Sequence, residues 1–192
     1  MADDPLQLFE EWYAAARATD MDYPDAMSLA TADADGFPSV RIVLLKAYGP
    51  EGFVFYTNFE SEKGRDLLEN PRAALCFYWK ELKRQVRLRG PVETVSAQTA
   101  DAYFASRDRL SRIGAWASDQ SRPMAHRLEL EERVARYSTT YAVGEVPRPD
   151  HWSGFRLRPE RIEFWEEKAF RLHTRRRFSK SGDAWDMEYL FP

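Results

Sequence analysis

Residues 39–58 read SVRIVLLKAYGPEGFVFYTN, and this stretch decides the fold class. In residues 39–47, apolar side chains fall on both faces of a two-residue repeat, with Lys46 on one face and Arg41 on the other. The turn sequence GPEG at residues 49–52 leads into the apolar run 53–58, which predicts two strands joined by a short connection. Because both faces of the first strand are mostly apolar, we expect it to be a central strand of its sheet.

Further strands are predicted on both sides of this pair. Residues 26–31 precede the turn-rich sequence DADG at 33–36, which predicts a hairpin into the strand at 39–47. Gly90 and Pro91 interrupt a later strand and indicate a bulge or a sheet edge. The remaining predicted strands lie at residues 73–79, 85–93, 154–157, 162–166, 170–178 and 185–190.

Helices are predicted at both ends of the strand pattern and inside it. Leu8, Phe9, Trp12 and Ala16 recur at helical spacing, so residues 5–16 form an amphipathic helix whose role is packing. Ser61 caps a short helix over residues 62–69. Three more helices are predicted at residues 97–105, 110–117 and 124–137.

Strands joined by short turns, with helices inserted between them, predict an antiparallel α+β domain built as a closed or partly closed barrel. The 192 residues fit one such domain, in which residues 1–20 form an N-terminal helical segment. Cys76 lies in an apolar run, which predicts a buried thiol and a reducing, cytoplasmic location. No run is apolar enough for a membrane span, and the acidic start is unlike a secretory signal.

Several chemistries lack sequence support. No glycine pattern matches a dinucleotide-binding or phosphate-loop fingerprint, and no nucleophile elbow occurs. The three histidines are far apart and lack metal-ligand spacing, so no metal site is predicted. A net charge of -3 with local cation clusters favours discrete anions over nucleic acid as ligands.

One cation cluster is predicted on a single strand face. In residues 170–178, two-residue periodicity aligns Arg171, His173, Arg175 and Arg177. Such a face is either fully solvated or compensated by a bound anion, and His173 between two arginines favours the second interpretation.

Two other stretches combine phosphate-binding side chains. Ser61, Lys63 and Gly64 stand at a predicted helix N-terminus, which suits a phosphate group but also suits an ordinary N-cap with a surface lysine. Tyr103, Arg107 and Ser111 recur every four residues, which fits phosphate ligation and fits a polar helix surface nearly as well.

Many short motifs occur in a defined order and spacing between residues 27 and 192: RIVLLK at 41–46, FYTN at 55–58, KGR at 63–65, NP at 70–71, YW at 78–79, RQV at 84–86, IGAWAS at 113–118, HW at 151–152, IEFW at 162–165 and RLH at 171–173. By these motifs the chain resembles the pyridoxamine 5'-phosphate oxidase family from residue 27 to residue 192.

The resemblance implies an FMN-binding split β-barrel, antiparallel and Greek-key-like, with peripheral helices. It further implies a homodimer with FMN at the subunit interface. The activity would be that of a pyridoxal 5'-phosphate synthase, which oxidises pyridoxamine or pyridoxine 5'-phosphate with O2 and yields H2O2. No nucleic acid and no membrane is expected as a partner.

Site residues follow from the same resemblance. Arg171 and His173 would face the reacting carbon, and the substrate phosphate would fall to Lys46, Tyr103, Arg107 and Ser111. FMN would be contacted by Arg41, Ile42, Val43, Leu44, Leu45, Lys46, Tyr56, Thr57, Lys63, Gln85, Gln120, Ser121, Trp165 and Arg175.

The chain departs from the family pattern at five positions, which are Glu62 for Arg, Asp108 for Pro, Arg112 for Gln, Glu166 for Gln and Thr174 for Asp. Glu62 should weaken FMN binding, and Arg112 is a candidate replacement cation near the substrate phosphate. Three alternatives stay open: a split-barrel flavin oxidase with another substrate, such as those of phenazine biosynthesis, a non-catalytic FMN or pyridoxal phosphate carrier, and a nucleic-acid-binding barrel.

Overall fold

The computed structural model describes residues 4–192, so residues 1–3 of the predicted N-terminal segment lie outside the described residues. Within that range the helices are α1 (Pro5–Arg17), α2 (Glu62–Glu69), α3 (Ala97–Ser106), α4 (Arg109–Ala117) and α5 (Glu129–Thr140). The strands are β1 (Ala26–Ala32), β2 (Pro38–Leu44), β3 (Ala47–Gly49), β4 (Gly52–Asn58), β5 (Arg72–Trp79), β6 (Arg84–Thr94), β7 (Trp152–Leu157), β8 (Arg161–Glu166), β9 (Thr174–Ser181) and β10 (Ala184–Tyr189).

The strands form one antiparallel sheet that branches at β6. Its main path runs β10-β9-β8-β6-β5-β1-β2, while β7 pairs with both β6 and β4, and β4 pairs with β3. Strand β6 pairs with β8 up to Arg89 and with β7 from Val92 onward. The partner changes at Gly90, where a Cβ atom would lie 2.0 Å from the carbonyl oxygen of Arg158. The predicted irregularity at Gly90 and Pro91 is therefore a corner of the barrel.

Helix α1 supplies much of the core. Asp4 caps it by accepting a hydrogen bond from the Leu6 amide at 2.9 Å, and Pro5 begins its first turn. The ring of Phe9 is fully buried, 4.8 Å from the centroid of Phe53 and 5.3 Å from that of Phe77. The packing role predicted for this helix is confirmed.

The expectation of a central strand at residues 39–47 is wrong for the isolated chain. Strand β2 ends at Leu44 and terminates the main path of the sheet, paired with β1 alone. Val40 is 68% exposed and Ile42 is 64% exposed. One of the two apolar faces of β2 is therefore not covered by the described part of this chain.

The predicted strand at residues 170–178 is also wrong in its first half. Pairing between β8 and β9 stops at Glu166 and Thr174, so the intervening residues must reverse the chain. They form a 3-10 turn at Ala169–Arg171, in which Phe170 and Arg171 have φ values of 57° and 60°. Arg171 and His173 therefore do not share a strand face with Arg175 and Arg177. A two-residue repeat cannot distinguish a strand from the loop that precedes it.

Two smaller expectations also need correction. Helix α5 begins at Glu129 rather than at residue 124, and three glutamates in its first turn complement the helix dipole. Cys76 is half-buried rather than fully buried, and burial raises the pKa of its thiol. No helix among residues 4–192 has the length and apolar character that crossing a bilayer would require.

Candidate functional site

A cleft of about 790 Å³ opens between the β2 and β4 strands and the helices α3 and α4. Many of the residues predicted for a phosphorylated substrate and a flavin line it together: Ile42, Val43, Leu44, Lys46, Tyr56, Thr57, Lys63, Tyr103, Arg107, Ser111 and Gln120. The rest of the lining is Asn58, Asp108, Gly114, Ala115, Ser118 and Trp152. The cleft therefore gathers residues that are up to 110 positions apart in the chain.

One wall of the cleft is a stack of aromatic rings. Tyr56 and Tyr103 lie 3.9 Å apart between centroids at an interplanar angle of 11°. Trp152 is nearly parallel to Tyr56, at 5.3 Å and 6°. Gly154 faces Tyr56 across the β4–β7 pair, and a Cβ atom there would lie 2.8 Å from the tyrosine ring. The missing side chain at Gly154 allows the tyrosine to lie flat in this stack.

Arg107 is the cation on the α3 side of the cleft. Its guanidinium carbon lies 4.8 Å from the centroid of Trp152, and its Nη1 atom is buried without a hydrogen-bond partner. Burial lowers the pKa of this guanidinium, and the neighbouring Tyr103 and Asp108 act against that shift. Asp108 accepts a hydrogen bond from the Ser111 amide at 2.8 Å, so this departure from the family pattern serves as the N-cap of α4.

Lys63 is the cation at the α2 end of the cleft. Its Nζ atom donates to Gln120 Oε1 at 2.7 Å and to Ser61 Oγ at 3.2 Å. Burial, reinforced by the neighbouring Arg41 cation, lowers the pKa of the Lys63 ammonium to about 8. Ser61 also caps α2 through the amide of Gly64 at 3.3 Å. The N-cap interpretation is therefore correct for Ser61, while Lys63 faces the cleft.

Glu62 points away from the cleft lining. Its Oε1 atom accepts a hydrogen bond from Ser39 Oγ at 2.6 Å and lies 3.5 Å from Arg41 Nη2. Arg41 also donates to Thr31 Oγ1 at 2.6 Å, and its Nη2 atom lies 3.9 Å from Asp66 Oδ2. Arg41 is thus engaged by two carboxylates and does not line the cleft. The Glu62 carboxylate is therefore paired with Arg41 of the same chain.

Lys46 lines the cleft from the end of β2. Its Nζ atom forms an ion pair with Asp25 Oδ2 at 2.9 Å. This carboxylate restrains the ammonium and shares its charge, so an incoming anion would compete with Asp25 for Lys46. Arg112 is absent from the lining, and its Nε atom is buried without a partner. The hypothesis of a replacement cation at Arg112 therefore gains no support from its position.

The other predicted site residues lie outside this cleft. Gln85, Trp165 and Arg175 sit side by side on β6, β8 and β9 through the strand register. We call these three, together with Arg171 and His173, the outer-sheet group. The ring of His173 lies 4.8 Å from Trp165, and its Nδ1 accepts from the Lys168 amide at 3.2 Å. One chain does not bring this group to its own cleft.

Arg175 in the outer-sheet group is held by Glu163. Glu163 Oε1 accepts from Arg175 Nη2 at 2.8 Å, while Oε2 accepts from Arg87 at 2.7 Å. Burial raises the pKa of Glu163, but the hydrogen bonds from the two arginines outweigh it and leave that pKa below its ordinary value. Arg175 therefore has a fixed orientation and shares the single negative charge of Glu163 with Arg87.

The two remaining predicted contacts have other surroundings. Leu45 is buried in the core, and Ser121 lies in the α4–α5 connection with φ of 70°. Of the other departures, Glu166 pairs with Lys168 at 2.6 Å and Arg84 at 3.0 Å, and Thr174 simply begins β9.

Trp152 and the small residues of α4 were assigned no role by sequence reasoning. Gly114 on α4 and Ser118, the residue that caps its C-terminus, stand four residues apart and line the cleft, so they leave room beside that helix. Their spacing was a usable signal. Trp152 is the first residue of β7, and its place in the cleft becomes evident only from its contacts with Tyr56 and Arg107, which are distant in the sequence.

Comparisons with known proteins agree with this geometry. Residues 15–166 match the family described as "Pyridoxamine 5'-phosphate oxidase", and residues 152–192 match the "Pyridoxine 5'-phosphate oxidase C-terminal dimerisation region". A pyridoxine/pyridoxamine 5'-phosphate oxidase of Rhizobium etli (strain CIAT 652) is 57% identical over 191 residues, covering 98% of this chain and 93% of that protein. One of Chelativorans sp. (strain BNC1) is 55% identical over 192 residues, covering 100% and 92%.

Solved structures show the same architecture. PhzG from Burkholderia lata 383, in complex with tetrahydrophenazine-1-carboxylic acid, superposes with a TM-score of 0.93 at 31% identity, covering 98% of this chain and 93% of that one. A pyridoxamine 5'-phosphate oxidase-related FMN binding protein from Nostoc punctiforme PCC 73102 gives a TM-score of 0.77 at 16% identity, covering 100% and 99%.

The fold is therefore the α+β split barrel of FMN-binding proteins, and the expected fold class is confirmed. Within that class, the chain belongs to the pyridoxamine 5'-phosphate oxidase family and is an oxidoreductase of that family.

Proposed function

We propose that this chain catalyses the FMN-dependent oxidation of pyridoxamine 5'-phosphate and pyridoxine 5'-phosphate to pyridoxal 5'-phosphate. O2 is the final electron acceptor and H2O2 the second product. One observation carries the proposal: Lys46, Tyr103, Arg107 and Ser111, the predicted phosphate-binding set, line one cleft beside the predicted flavin contacts. The relatives that share more than half of their residues with this chain carry the same activity in their names.

The donor set of the cleft fits a flavin mononucleotide. The Lys63 ammonium stands next to the N-terminus of α2, where free amides and the helix dipole favour a phosphate. Gln120 offers an amide at the same end, and the β2 residues Val43 and Leu44 offer an apolar wall to a planar ring. When bound, the flavin supplies hydride acceptance and electron transfer to O2.

The protein's own part is to bind and orient the substrate. Arg107 and Lys46 bring two positive charges to a phosphate dianion, and the hydroxyls of Tyr103 and Ser111 can donate to its remaining oxygens. Binding energy from the phosphate then holds the reacting carbon in place, which raises the rate without any contact to that carbon. The amine substrate also consumes one water and releases ammonia, so the overall reaction balances.

A homodimer is part of this proposal. The exposed Val40 and Ile42 on β2 need cover, and residues 152–192 match a dimerisation region. We assign the outer-sheet group to the partner's cleft, where Gln85, Trp165 and Arg175 would contact FMN. Arg171 would orient the amine or hydroxyl under oxidation, and His173 would hold or accept its proton.

A cytoplasmic location also belongs to the proposal and rests on the single cysteine.

A second candidate is an oxidase with a tricyclic substrate. The TM-score of 0.93 with PhzG favours it, because that protein was solved with tetrahydrophenazine-1-carboxylic acid. Lys46 and Arg107, two cations that line the same cleft, favour a phosphorylated substrate instead, since a dianion matches two cations better than a single carboxylate does.

The test is a peroxide assay on purified, FMN-loaded protein with each substrate in turn. We expect H2O2 with pyridoxamine and pyridoxine 5'-phosphates and little with pyridoxine, which lacks the phosphate. Turnover of tetrahydrophenazine-1-carboxylic acid alone would favour the second candidate. A yellow protein that produces peroxide with none of these compounds would indicate a flavin carrier.

A further inference from the structure

Among the described residues, Arg107 lacks a carboxylate ion-pair partner, which several other arginines of the chain have. Arg41, Arg84 and Arg175 each lie within 4.0 Å of a glutamate or aspartate oxygen. Within residues 4–192, Arg107 forms no such ion pair, and its Nη1 atom is buried without an acceptor. Its guanidinium packs on aromatic rings, with Trp152 at 4.8 Å and Phe104 at 5.7 Å from the ring centroids, while the neighbouring Asp108 carboxylate acts on it through space without an ion-pair contact.

Trp152 is fixed from several directions. Its side chain is 7% exposed, and the edge-on ring of Phe104 lies 5.0 Å away. Its amide donates to Pro149 O at 3.0 Å, and its carbonyl accepts from Arg148 Nη1 at 2.8 Å. The indole is therefore a rigid surface, and a cation resting on it has a defined position.

An aromatic face holds a guanidinium without neutralising it. A carboxylate at the same place would also fix Arg107, but an anionic ligand would then have to displace it, as at Lys46 and Asp25. The negative face of an indole attracts the cation and leaves its N–H groups free to donate.

We propose that Trp152 is a positioning residue that presents the Arg107 guanidinium, with its unpartnered Nη1 atom, to the phosphate of the ligand. The inference rests on the proposed function, since it names how the phosphate-binding part of that site is held. Trp152 acts through Arg107, without touching the reacting atoms.

The experiment compares pyridoxal 5'-phosphate with pyridoxal, each titrated into FMN-loaded protein. We expect Trp152→Leu to weaken binding of the phosphorylated compound by about threefold to thirtyfold, the range of a partly desolvated cation–π contact. Binding of pyridoxal should change less than twofold. Trp152→Phe keeps an aromatic face and should fall between the wild type and the leucine variant. In the peroxide assay KM should rise more than kcat falls.

A double-mutant cycle separates positioning from general packing. If Trp152 acts through Arg107, the leucine substitution should have little further effect on phosphate-dependent binding in an Arg107→Ala background. Trp116→Leu is the matched control, since Trp116 packs on Tyr137 and Tyr141 outside the cleft lining. Global incorporation of fluorinated tryptophans, compared in wild type and Trp152→Phe, weakens the ring face without removing volume and serves if the leucine variant does not fold.

The outcomes separate the inference from the proposed function. Equal affinity of the wild type for pyridoxal 5'-phosphate and pyridoxal overturns both. A phosphate preference that survives Trp152→Leu and tryptophan fluorination overturns the inference alone. Equal losses for the two ligands, or the same loss in the Arg107→Ala background, would also overturn it, because each marks a packing role.

Discussion

The Lys63 ammonium lies 2.7 Å from Gln120 Oε1, so a hydrogen bond joins α2 to the connection between α4 and α5 across one end of the cleft. The same ammonium has a pKa of about 8, lowered first by burial and then by Arg41. Because this ammonium titrates near neutral pH and faces the cleft, we expect binding at this end of the cleft to depend on pH.

FMN affinity should fall as pH rises through about 8, because Lys63 then loses the charge that would face the phosphate. The phosphate is already a dianion above about pH 7, so it does not titrate in this window. Lys63→Arg should keep the affinity at pH 9.5 within about threefold of its value at pH 7, since arginine stays protonated. Fluorescence titration of FMN into apoprotein at several pH values measures this. A flat wild-type profile would contradict the role of Lys63.

The apoprotein should respond to pH in the opposite direction. The folded-state pKa of Lys63 is lowered, so the unfolded chain binds more protons between about pH 8 and the ordinary lysine value near 10.4. The Lys63 contribution to the free energy of unfolding therefore rises with pH across that window. Denaturant titrations of wild type and Lys63→Met at pH 7.5 and 10 isolate this contribution as the difference between the two proteins.

Glu62→Gln should move the FMN pH profile rather than abolish binding. Glu62 raises the pKa of Lys63, and its own oxygen is bonded to Ser39 outside the cleft lining. Its removal should shift the midpoint of the profile to lower pH and leave the affinity at pH 6.5 within about threefold, as expected for an exposed ion pair. A loss at pH 6.5 as large as that of Lys63→Met would show that Glu62 itself contacts the cofactor.

Gly154→Ala should disturb the aromatic stack. The new methyl group would lie 2.8 Å from the ring of Tyr56 and 3.0 Å from Val95 Cγ2, which is too close for both. We expect a loss of about 1–3 kcal/mol in the free energy of unfolding, as in overpacked cores, together with weaker binding of pyridoxal 5'-phosphate. Gly49→Ala is the control, because no atom lies within 4 Å of its added methyl. Equal denaturation midpoints for the two variants would contradict the packing argument.

Phe9→Ala should cost about 3–5 kcal/mol of stability, since it empties a fully buried ring site in the barrel. Phe37→Ala removes the same atoms from a side chain that is 77% exposed and should change stability by less than about 0.5 kcal/mol. Urea denaturation of both variants checks the difference.

Arg171→Ala should lower turnover by at least about tenfold and leave FMN retention within about threefold, as expected for a residue that orients only the substrate. Equal loss of turnover and of FMN would contradict that assignment.

The subunit arrangement has its own test, in which Arg171→Ala and Arg107→Ala chains are mixed. Random pairing gives half mixed dimers with one intact site each, so about a quarter of wild-type activity should return. No recovery would mean that both residues serve the same subunit.

Local patterns in the sequence predicted most elements of the fold. Helix α1, the Ser61 cap and the corner at Gly90 follow from spacing, hydrogen-bonding capacity and glycine's lack of a side chain. The prediction that β2 is a central strand was wrong for this chain. An apolar strand face indicates that something packs against it, but it does not identify the element or the chain that does so. The strand at residues 170–173 failed because alternation continues into the loop. Trp152 could not be assigned, since its role depends on contacts with α3 that no local pattern encodes.

Strand β6 pairs with β5, which precedes it closely, but its other partners, in β7 and β8, lie 61 to 82 positions later in the chain. Strand β4, which carries several apolar side chains, also pairs with β7. Contacts of such long sequence separation form late and slowly. During synthesis, the first half of this chain therefore leaves the ribosome with open strand edges and exposed phenylalanines, and the barrel can close only when Glu166 has emerged.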